Sequence, residues 1–199
     1  MVAEFDVDKY KLETDRVILR PFKLVDLEDL YEYASVFGVG EAAGWVHHKD
    51  KEESLNRLKH FIEGKHTFAI EFKENHKVIG SIGLDAMSDV FNEKISEFHN
   101  LYGREIGFVL SKDYWGQGIM VEAVKKVIDF LFNELGFDFL LCGHFDKNIR
   151  SQKVQEKLGF IPYRKLVFDT HLGTREPGIL NLMLNPHKKL NLVNFIQKP

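Results

Sequence analysis

The sequence predicts an α/β domain in which a mixed central sheet of about seven strands is flanked by about four helices. Four segments carry apolar residues at the three- and four-residue spacing of amphipathic helices. Short alternating or wholly apolar runs, which are typical of strands, lie before, between and after them. No linker, internal repeat or low-complexity run interrupts the 199 residues, a length that commonly buries one core. We therefore interpret residues 1–199 as a single domain.

The first strand and the first two helices follow from local patterns. Residues 14–22 alternate, with Val17 and Leu19 on one face, and contain a proline near their end, which favours an edge-like strand. Asp26 stands where it can cap a first helix, because apolar residues recur at helical spacing directly after it. A second helix with one apolar face begins near Asp50.

The middle of the chain predicts three strands and one long loop. Residues 67–85 have the pattern of a hairpin, two β-rich runs joined by polar residues around Asn75. Residues 86–102 are polar and aromatic without a clear period, which predicts a long loop or an insertion. Residues 104–111 then form a fourth strand.

The second half of the chain alternates helices and strands. A helix with apolar residues from Met120 to Leu135 is stopped by Gly136, and a nearly wholly apolar run at 137–144 predicts a strand buried on both faces. The remaining predicted elements are a helix at 149–158 that ends at Gly159, and strands within 160–171 and 178–186.

Composition and charge exclude several classes of protein. The 27 basic and 30 acidic residues leave a net charge of -3, which does not favour a nucleic acid as the main partner. Cys142 is the only cysteine, so no intrachain disulfide is possible and a reducing, cytoplasmic location is expected. The N-terminal residues lack a basic region leading into an apolar one, and nowhere do 18 apolar residues run together. We therefore expect neither an export signal nor a membrane partner.

Two glycines precede the third helix, in D-Y-W-G-Q-G-I-M-V-E at residues 113–122. Gly116 and Gly118 at this place expose main-chain N–H groups at a helix N-terminus, where an anion is favoured. A phosphate-binding Walker loop is excluded because no Gly-Lys-Ser/Thr follows, and a dinucleotide fingerprint is excluded because Val121 stands in its third glycine position. The motif alone leaves two interpretations open, an ordinary turn and an anion site.

Several segments together resemble one family. E-I-G-F-V-L, Y-W-G-Q-G-I-M-V-E-A and L-L-C-G-H-F-D-K-N-I-R-S-Q-K-V-Q-E-K-L-G-F, in this order, are similar to the GNAT superfamily of acyl-CoA N-acyltransferases. T-D-R-V-I-L-R-P-F, G-W-V-H-H and K-V-I-G-S-I-G-L resemble its branch of ribosomal-protein N-terminal acetyltransferases, RimJ and RimL, so the likeness spans most of residues 14–184. The resemblance implies a GNAT fold, with a splayed central sheet, and acetyl-CoA as cosubstrate.

The resemblance also implies which residues bind coenzyme A. Main-chain N–H groups of the glycine loop would hold the pyrophosphate, the fourth strand would bond to the pantetheine arm, and Asn148 and Ser151 would lie beside that arm. Asn148 has an alternative interpretation as a plain helix cap. Met120 departs from the small residue usual in the family and could crowd the anion site. The implied cofactor residues are Phe108, Val109, Leu110, Trp115, Gly116, Gln117, Gly118, Ile119, Met120, Val121, Asn148 and Ser151.

By the same resemblance Glu105 is the candidate base, acting through water, and Ser151 the candidate acid. Many GNAT enzymes place a tyrosine acid where this chain has Gln155. The alternatives are a solvated Glu105 paired with Arg104, and a Ser151 that only starts a helix. No metal site is expected, because the neighbouring histidines at 47–48 lack companions at ligand spacing.

The predicted activity is transfer of the acetyl group of acetyl-CoA to a primary amine by direct attack. Main-chain N–H groups near Val109 or Leu110 would polarise the thioester carbonyl. Glu41 and Trp45, in a glycine-rich loop, are the candidate residues for selecting the acceptor. The acceptor is a protein N-terminus or, alternatively, a small molecule such as a polyamine, amino sugar or antibiotic; a non-catalytic coenzyme A-binding protein is a third possibility. A monomer or a homodimer is expected.

Overall fold

A computed structural model describes residues 4–86, 98 and 100–190 of the chain. Its strands form one mixed sheet in the order β1-β2-β3-β4-β5-β6-β8-β7. All neighbouring pairs are antiparallel except β5 and β6, which are parallel. The strands are β1 (Leu12–Glu13), β2 (Val17–Pro21), β3 (Thr67–Phe72), β4 (Val78–Asp85), β5 (Gly103–Leu110), β6 (Phe139–Phe145), β7 (Ile161–Asp169) and β8 (Arg175–Leu184). Seven of these strands match the predicted ones.

The additional strand is β1, whose two residues are too few to show a sequence pattern. Leu12 pairs with Leu19 and Glu13 pairs with Ile18, so β2 has a neighbour on both sides and is not the edge strand that its proline suggested. The predicted loop at 86–102 lies largely outside the described residues.

The described residues contain four α-helices, in the places that the sequence predicts. Their bounds are α1 (Leu27–Ala34), α2 (Lys51–Gly64), α3 (Ile119–Asn133) and α4 (Ile149–Leu158). Asp50 caps α2 by accepting a hydrogen bond from the Glu53 N–H. The predicted cap of α1 is wrong, because the Asp26 carboxylate makes no cap bond to this helix. It binds both terminal nitrogens of Arg20 at 2.8 Å instead, a bidentate pair that only the folded sheet brings together.

Helices cover both faces of the sheet. The apolar face of α3, which includes Val124, Val127 and Leu131, is fully buried in the main core against β2–β6. A second cluster, with Leu30 and Leu58, lies under α1 and α2 on the opposite face. Strand β6 is buried over most of its length, as its apolar run predicts.

The sheet opens between its two parallel strands. β5 and β6 are paired only from Gly103 with Phe139 to Glu105 with Leu141. Beyond that point β5 follows β4 as far as Leu110, whereas β6 follows β8. The resulting gap lies at the carboxyl ends of β5 and β6, where the chain turns into α3 and α4, and this is the usual place for a ligand in an open α/β sheet.

Candidate active site

A cavity of about 440 Å³ occupies the gap between β5 and β6 and reaches the N-termini of α3 and α4. Glu105 also lies in its wall. The predicted cofactor residues in the wall are Phe108, Val109, Leu110, Trp115, Gly116, Gly118, Ile119, Met120, Val121, Asn148 and Ser151. Gln117 is the exception, because its side chain folds back to the Asp113 carbonyl at 2.9 Å. The fold thus brings nearly all of the predicted cofactor residues to one place.

The glycine loop presents a row of main-chain donors to this cavity. Gly116 and Gly118 both have φ of +77°, a left-handed conformation that side chains other than glycine rarely adopt. A Cβ at Gly116 would meet no atom within 4 Å, so the backbone there is open. The N–H groups of residues 116–121 donate to no acceptor within the described part of the chain. Unpaired donors at a helix N-terminus can take the charge of a phosphate.

An ion pair with Arg16, which directly precedes β2, holds this loop in place. The Glu122 carboxylate, in the first turn of α3, binds the Arg16 guanidinium at 2.6 Å. The same guanidinium donates to the Gln117 carbonyl at 2.9 Å, and the Thr14 hydroxyl donates to Glu122 at 2.5 Å. The segment before β2 therefore ties down both the loop and the helix start.

Met120 and Trp115 pack beneath the loop. Met120 is 6% exposed and its side chain belongs to the main core, so its bulk is accommodated away from solvent. The Trp115 indole donates to the Leu110 carbonyl at 2.9 Å, and the Arg150 guanidinium lies 4.0 Å from the centre of its ring. This cation–π contact joins the loop to the start of α4.

Only part of the main chain of β5 faces the gap. The Ser111 N–H donates to the Ile79 carbonyl of β4 at 2.7 Å, whereas the Leu110 carbonyl points away from β4 to Trp115. Because main-chain groups alternate along a strand, those of Phe108 and Leu110 face the gap and those of Val109 face β4. Of the two predicted oxyanion donors, Leu110 is thus the one directed towards the cavity.

Glu105 lies where β5 and β6 separate. It is the last residue of β5 that pairs with β6, and none of the described residues donates a hydrogen bond to its carboxylate. Burial, with a smaller effect from the negative charge of Asp85, raises the pKa of Glu105 to about 7. The alternative prediction was a solvated Glu105 paired with Arg104. In the structure Glu105 is largely buried, and the Arg104 guanidinium donates a hydrogen bond to the Leu84 carbonyl. A carboxylate with this pKa can accept a proton near neutral pH.

Ser151 belongs to a buried network on the β6 side of the gap. Its Oγ accepts a 3.0 Å hydrogen bond from Nε2 of Gln155, which also donates to the Gly143 carbonyl at 3.1 Å. Oε1 of Gln155 accepts from Nδ2 of Asn181 at 2.6 Å. The main-chain N–H of Ser151 donates to Asn148, which is therefore a helix cap as well as a cavity residue.

A second cavity, of about 290 Å³, lies on the α1–α2 side of β5. It shares Gly107, Phe108 and Val109 with the first, so the two meet along the middle of β5. A Cβ at Gly107 would contact nothing within 4 Å, which leaves the strand bare at this junction. Trp45, the other residue predicted to select the acceptor, lies in the wall of the second cavity.

Glu41 does not reach either cavity and has a different role from the predicted one. Its carboxylate accepts hydrogen bonds from the Gly38 and His47 N–H groups and from the His47 ring. Burial alone would raise the pKa of Glu41, but these hydrogen bonds outweigh it and lower the pKa to about 2. The side chain that we expected to attract the acceptor is occupied in shaping its own loop.

Sequence reasoning missed the basic face of α4. Arg150, Lys153 and Lys157 all lie in the wall of the first cavity. Their spacing of three and four residues places them on one side of the helix, and this signal is present in N-I-R-S-Q-K-V-Q-E-K. Phe168 of β7 was also missed, and nothing in its sequence neighbourhood indicates that its ring packs over Gly143.

Three further features concern the cysteine, metal ions and membranes. Cys142 is 1% exposed, and burial raises the pKa of its thiol. Within residues 4–86, 98 and 100–190, no group of three or more His, Cys, Asp or Glu side chains is arranged to hold a metal ion. The helices of the described chain are too short or too polar to cross a membrane.

Comparison with known proteins identifies a family. The model of the acetyltransferase (GNAT) domain matches residues 16–161. An uncharacterised N-acetyltransferase of Bacillus licheniformis, p20, is 30% identical over 156 residues, which are 75% of this chain and 81% of that protein. The uncharacterised N-acetyltransferase YoaA of Bacillus subtilis is 26% identical over 154 residues, with the same coverage.

Solved structures show the same fold. A GNAT-family acetyltransferase from Bacillus anthracis superposes with a TM-score of 0.75 at 18% identity, covering 88% of this chain and 99% of that one. The ribosomal-protein-S5-alanine acetyltransferase from Vibrio fischeri superposes with a TM-score of 0.66 at 22% identity, covering 91% and 100%. Because the family match spans the splayed strands and both helices that border the gap, the chain belongs to the GNAT acetyltransferases and is an acetyl-CoA-dependent N-acetyltransferase.

Proposed function

We propose that this acetyltransferase acts on an amine of low pKa, such as the α-amino group of a protein N-terminus or of a small molecule, with Glu105 as base and Ser151 as acid. The observation that carries the proposal is the position of Glu105, at the point where β5 and β6 separate, with a pKa of about 7. Glu105 lines the proposed cosubstrate gap, and its pairing partner on β4 is Asp85.

The residues of the gap fit acetyl-CoA, which supplies the acetyl group as a thioester. The free N–H groups of residues 116–121 suit its pyrophosphate, and the basic face of α4 suits its remaining charge. Main-chain groups of Phe108 and Leu110 face the gap without a strand partner and suit the amide-rich pantetheine arm. Asn148 and Ser151 lie on the opposite side of this arm.

The proposed reaction is a direct transfer whose atoms balance without a covalent enzyme intermediate. The amine nitrogen forms a bond to the acetyl carbon, and the bond from that carbon to sulfur breaks. Starting from the neutral amine, Glu105 takes through water the proton that the nitrogen loses, and the Ser151 hydroxyl gives its proton to the departing thiolate. Release of the proton from Glu105 to water and uptake of one by Ser151 from water restore both side chains. The Leu110 N–H, which faces the gap, stabilises the charge on the carbonyl oxygen.

The strength of this base favours an α-amino acceptor over a lysine side chain. An α-amino group with a pKa near 8 needs roughly 1 kcal/mol for deprotonation at pH 7, whereas lysine near 10.4 needs about 4 to 5 kcal/mol. A carboxylate with a pKa of about 7 is a base of suitable strength for deprotonating an α-amino group, but not a lysine side chain. This comparison of pKa values is the support for an N-terminal acceptor of the RimJ/RimL kind. The structural likeness to the Vibrio fischeri acetyltransferase, at 22% identity, concerns the fold alone.

The test is a panel of amines with acetyl-CoA, read by thiol release and by mass of the product. We expect transfer to peptides with a free α-amino group, and none to peptides whose only amine is a lysine side chain. Glu105→Gln should lower kcat/KM by about 100-fold or more, as removal of a general base does. Glu63→Gln, an exposed change on α2, is the matched control. Coenzyme A binding without transfer to any amine would contradict the proposal.

A further inference from the structure

We infer that the acceptor carries an anionic group, a carboxylate or a phosphate, and that Arg57 in the second cavity binds it. This inference rests on the proposed function, which places the acceptor amine beside Glu105. Arg57 and Phe61 project from α2 into the wall of that cavity. Glu105 lines the first cavity and Arg57 the second, so one acceptor would extend across the junction where the two cavities meet on β5.

The Arg57 guanidinium has no carboxylate partner among the described residues, unlike those of two arginines near the start of the chain. Arg16 binds Glu122, and Arg20 binds Asp26. Within the described residues, the Arg57 guanidinium makes no ion pair or hydrogen bond, and its contact is with the Phe61 ring, 5.8 Å from the ring centre. A planar guanidinium with five free donors matches a carboxylate or a phosphate in bidentate geometry.

The acids close to this part of the cavity are already engaged. Asp85 is the acid of the cavity wall, and its carboxylate lies 3.1 Å from Nε2 of His66. Asp50 and Glu53, which lie outside the wall, accept hydrogen bonds from main-chain N–H groups at the start of α2. Arg57 is therefore the arginine of the second cavity wall, and its guanidinium makes no ion pair within the described residues.

His48 adds a polar group that is free on the cavity side. Its Nδ1 is hydrogen-bonded to the buried Ser54 hydroxyl at 2.7 Å, and no protein group among the described residues bonds its Nε2. Burial, followed by the charge of Arg57, lowers the pKa of His48, so the ring is neutral at pH 7. A neutral ring beside the guanidinium can add a hydrogen bond to an anionic or polar acceptor without changing the sign of the site.

Aromatic rings complete the cavity and set the shape of its occupant. Tyr33, Trp45, Phe61 and Phe108 line it, and about 290 Å³ is room for a small molecule or for the first residues of a peptide. The acceptor is therefore an amine with an apolar or planar body and an anionic group. Polyamines carry several positive charges and are disfavoured by Arg57.

Matched pairs of amines test the inference directly. One pair is an alanyl-phenylalanine dipeptide with a free C-terminal carboxylate and its C-terminal amide. The other is O-phosphoserine amide and serine amide, which both carry an α-amino group, and spermidine represents the polycations. The kcat/KM for each amine is measured with the native protein, Arg57→Ala, Arg57→Lys and the control Lys59→Ala, which changes an exposed residue outside both cavities.

We expect the anionic member of at least one pair to be preferred, and the pair concerned tells carboxylate from phosphate. Arg57→Ala should reduce that preference by roughly 10- to 150-fold, the effect of losing a hydrogen bond to a charged group. Arg57→Lys should retain part of it because the charge remains, and Lys59→Ala should retain all. Equal rates within both pairs, or an unchanged preference in Arg57→Ala, would overturn the inference and leave the proposed activity intact.

A second measurement separates failure of the inference from failure of the proposed function. The same amines are titrated into the protein saturated with coenzyme A, and binding is followed by calorimetry. Binding of the anionic amines that is lost in Arg57→Ala, without any turnover, would support the inference and refute the proposed reaction. Absence of both turnover and Arg57-dependent binding would refute both.

Discussion

Gln155 donates a 3.0 Å hydrogen bond from its Nε2 to Oγ of Ser151, one turn earlier on α4. A carbonyl oxygen can only accept, so the second bond of Nε2 to Gly143 fixes the orientation of the Gln155 amide. Its Oε1 is held by Asn181, and Gln155 is 1% exposed. Because Ser151 Oγ already accepts a hydrogen bond from this buried amide, its own hydrogen is left free to point into the cavity.

Ser151→Ala should lower kcat by about 100-fold, since general acids contribute at least this much, with little change in the KM for acetyl-CoA. Gln155→Leu should lower kcat by about 10-fold, because the hydroxyl remains but is no longer oriented. Steady-state thiol release measures both. Gln152→Leu, a glutamine at the surface of the same helix, is the control. A normal kcat in Ser151→Ala would mean that the thiolate takes its proton from water.

The pH dependence of the reaction should report Glu105. Its carboxylate must be ionised to take a proton, so kcat/KM is expected to rise with pH through about 7. The charge of Asp85 contributes to the raised pKa, so Asp85→Asn should move the inflection to lower pH. Titration of the acceptor amine gives an inflection that this substitution cannot move. A pH profile unchanged by Asp85→Asn and by Glu105→Gln would show that Glu105 is not the base.

The same raised pKa has a consequence for stability. Ionising Glu105 costs more in the folded than in the unfolded protein, so the destabilisation is absent below pH 4.5, grows between pH 4.5 and about 7, and is complete above. Glu105→Gln should therefore raise the free energy of unfolding at pH 9 by up to about 3 kcal/mol and change it little at pH 4. Denaturant unfolding at the two pH values measures this. An equal change in the free energy of unfolding at both pH values would show that the substitution acts through packing and not through ionisation.

Periodic and motif-based signals predicted the scaffold of the site. The spacing of buried residues in α3 is a local signal, and the helix that it predicts is confirmed; the two glycines before it have positive φ. The pairings that decide chemistry are not local. Asp26 was predicted to cap α1 but binds Arg20, and Glu41 was predicted to meet the acceptor but binds its own loop.

The roles of two residues, Gln155 and Arg57, could not be predicted from the sequence pattern around them. Gln155 stood out only as the absence of a tyrosine, because its partner Asn181 is distant in the chain and joins it through β8. Arg57 is one charged residue on an amphipathic helix, and it becomes unusual only once the fold shows that no carboxylate reaches it. Contacts of this kind arise from tertiary structure, which spacing cannot encode.

Substitutions in the glycine loop should act through the backbone conformation that they strain, and not through steric clashes of the new side chain. Gly118→Ala forces a side chain into a left-handed conformation, which costs about 1–2 kcal/mol, although its Cβ would meet only Arg16 at 3.8 Å. We expect lower stability and a raised KM for acetyl-CoA. Gly173→Ala, at φ +72° in the turn between β7 and β8, should cost similar stability and leave the KM unchanged. An equal rise of KM in both variants would show that general destabilisation causes it.

The basic face of α4 should determine affinity for the charged end of the cosubstrate. Lys153 and Lys157 are exposed and lie in the cavity wall, so Lys153→Ala and Lys157→Ala should each raise the KM for acetyl-CoA, by about 5-fold for the loss of roughly 1 kcal/mol, and leave kcat unchanged.

The phosphates involved can be told apart with acetyl-dephospho-CoA, which lacks the 3′-phosphate and keeps the pyrophosphate. If a lysine binds the 3′-phosphate, its alanine variant and the native protein should have the same KM for this analogue. Added salt should then narrow the difference between their KM values for acetyl-CoA. Lys125→Ala, an exposed change on α3 outside the cavity wall, is the control. A native KM for acetyl-CoA in both variants would exclude this helix face from the binding site, because a phosphate held by an ammonium group loses that attraction when the charge is removed.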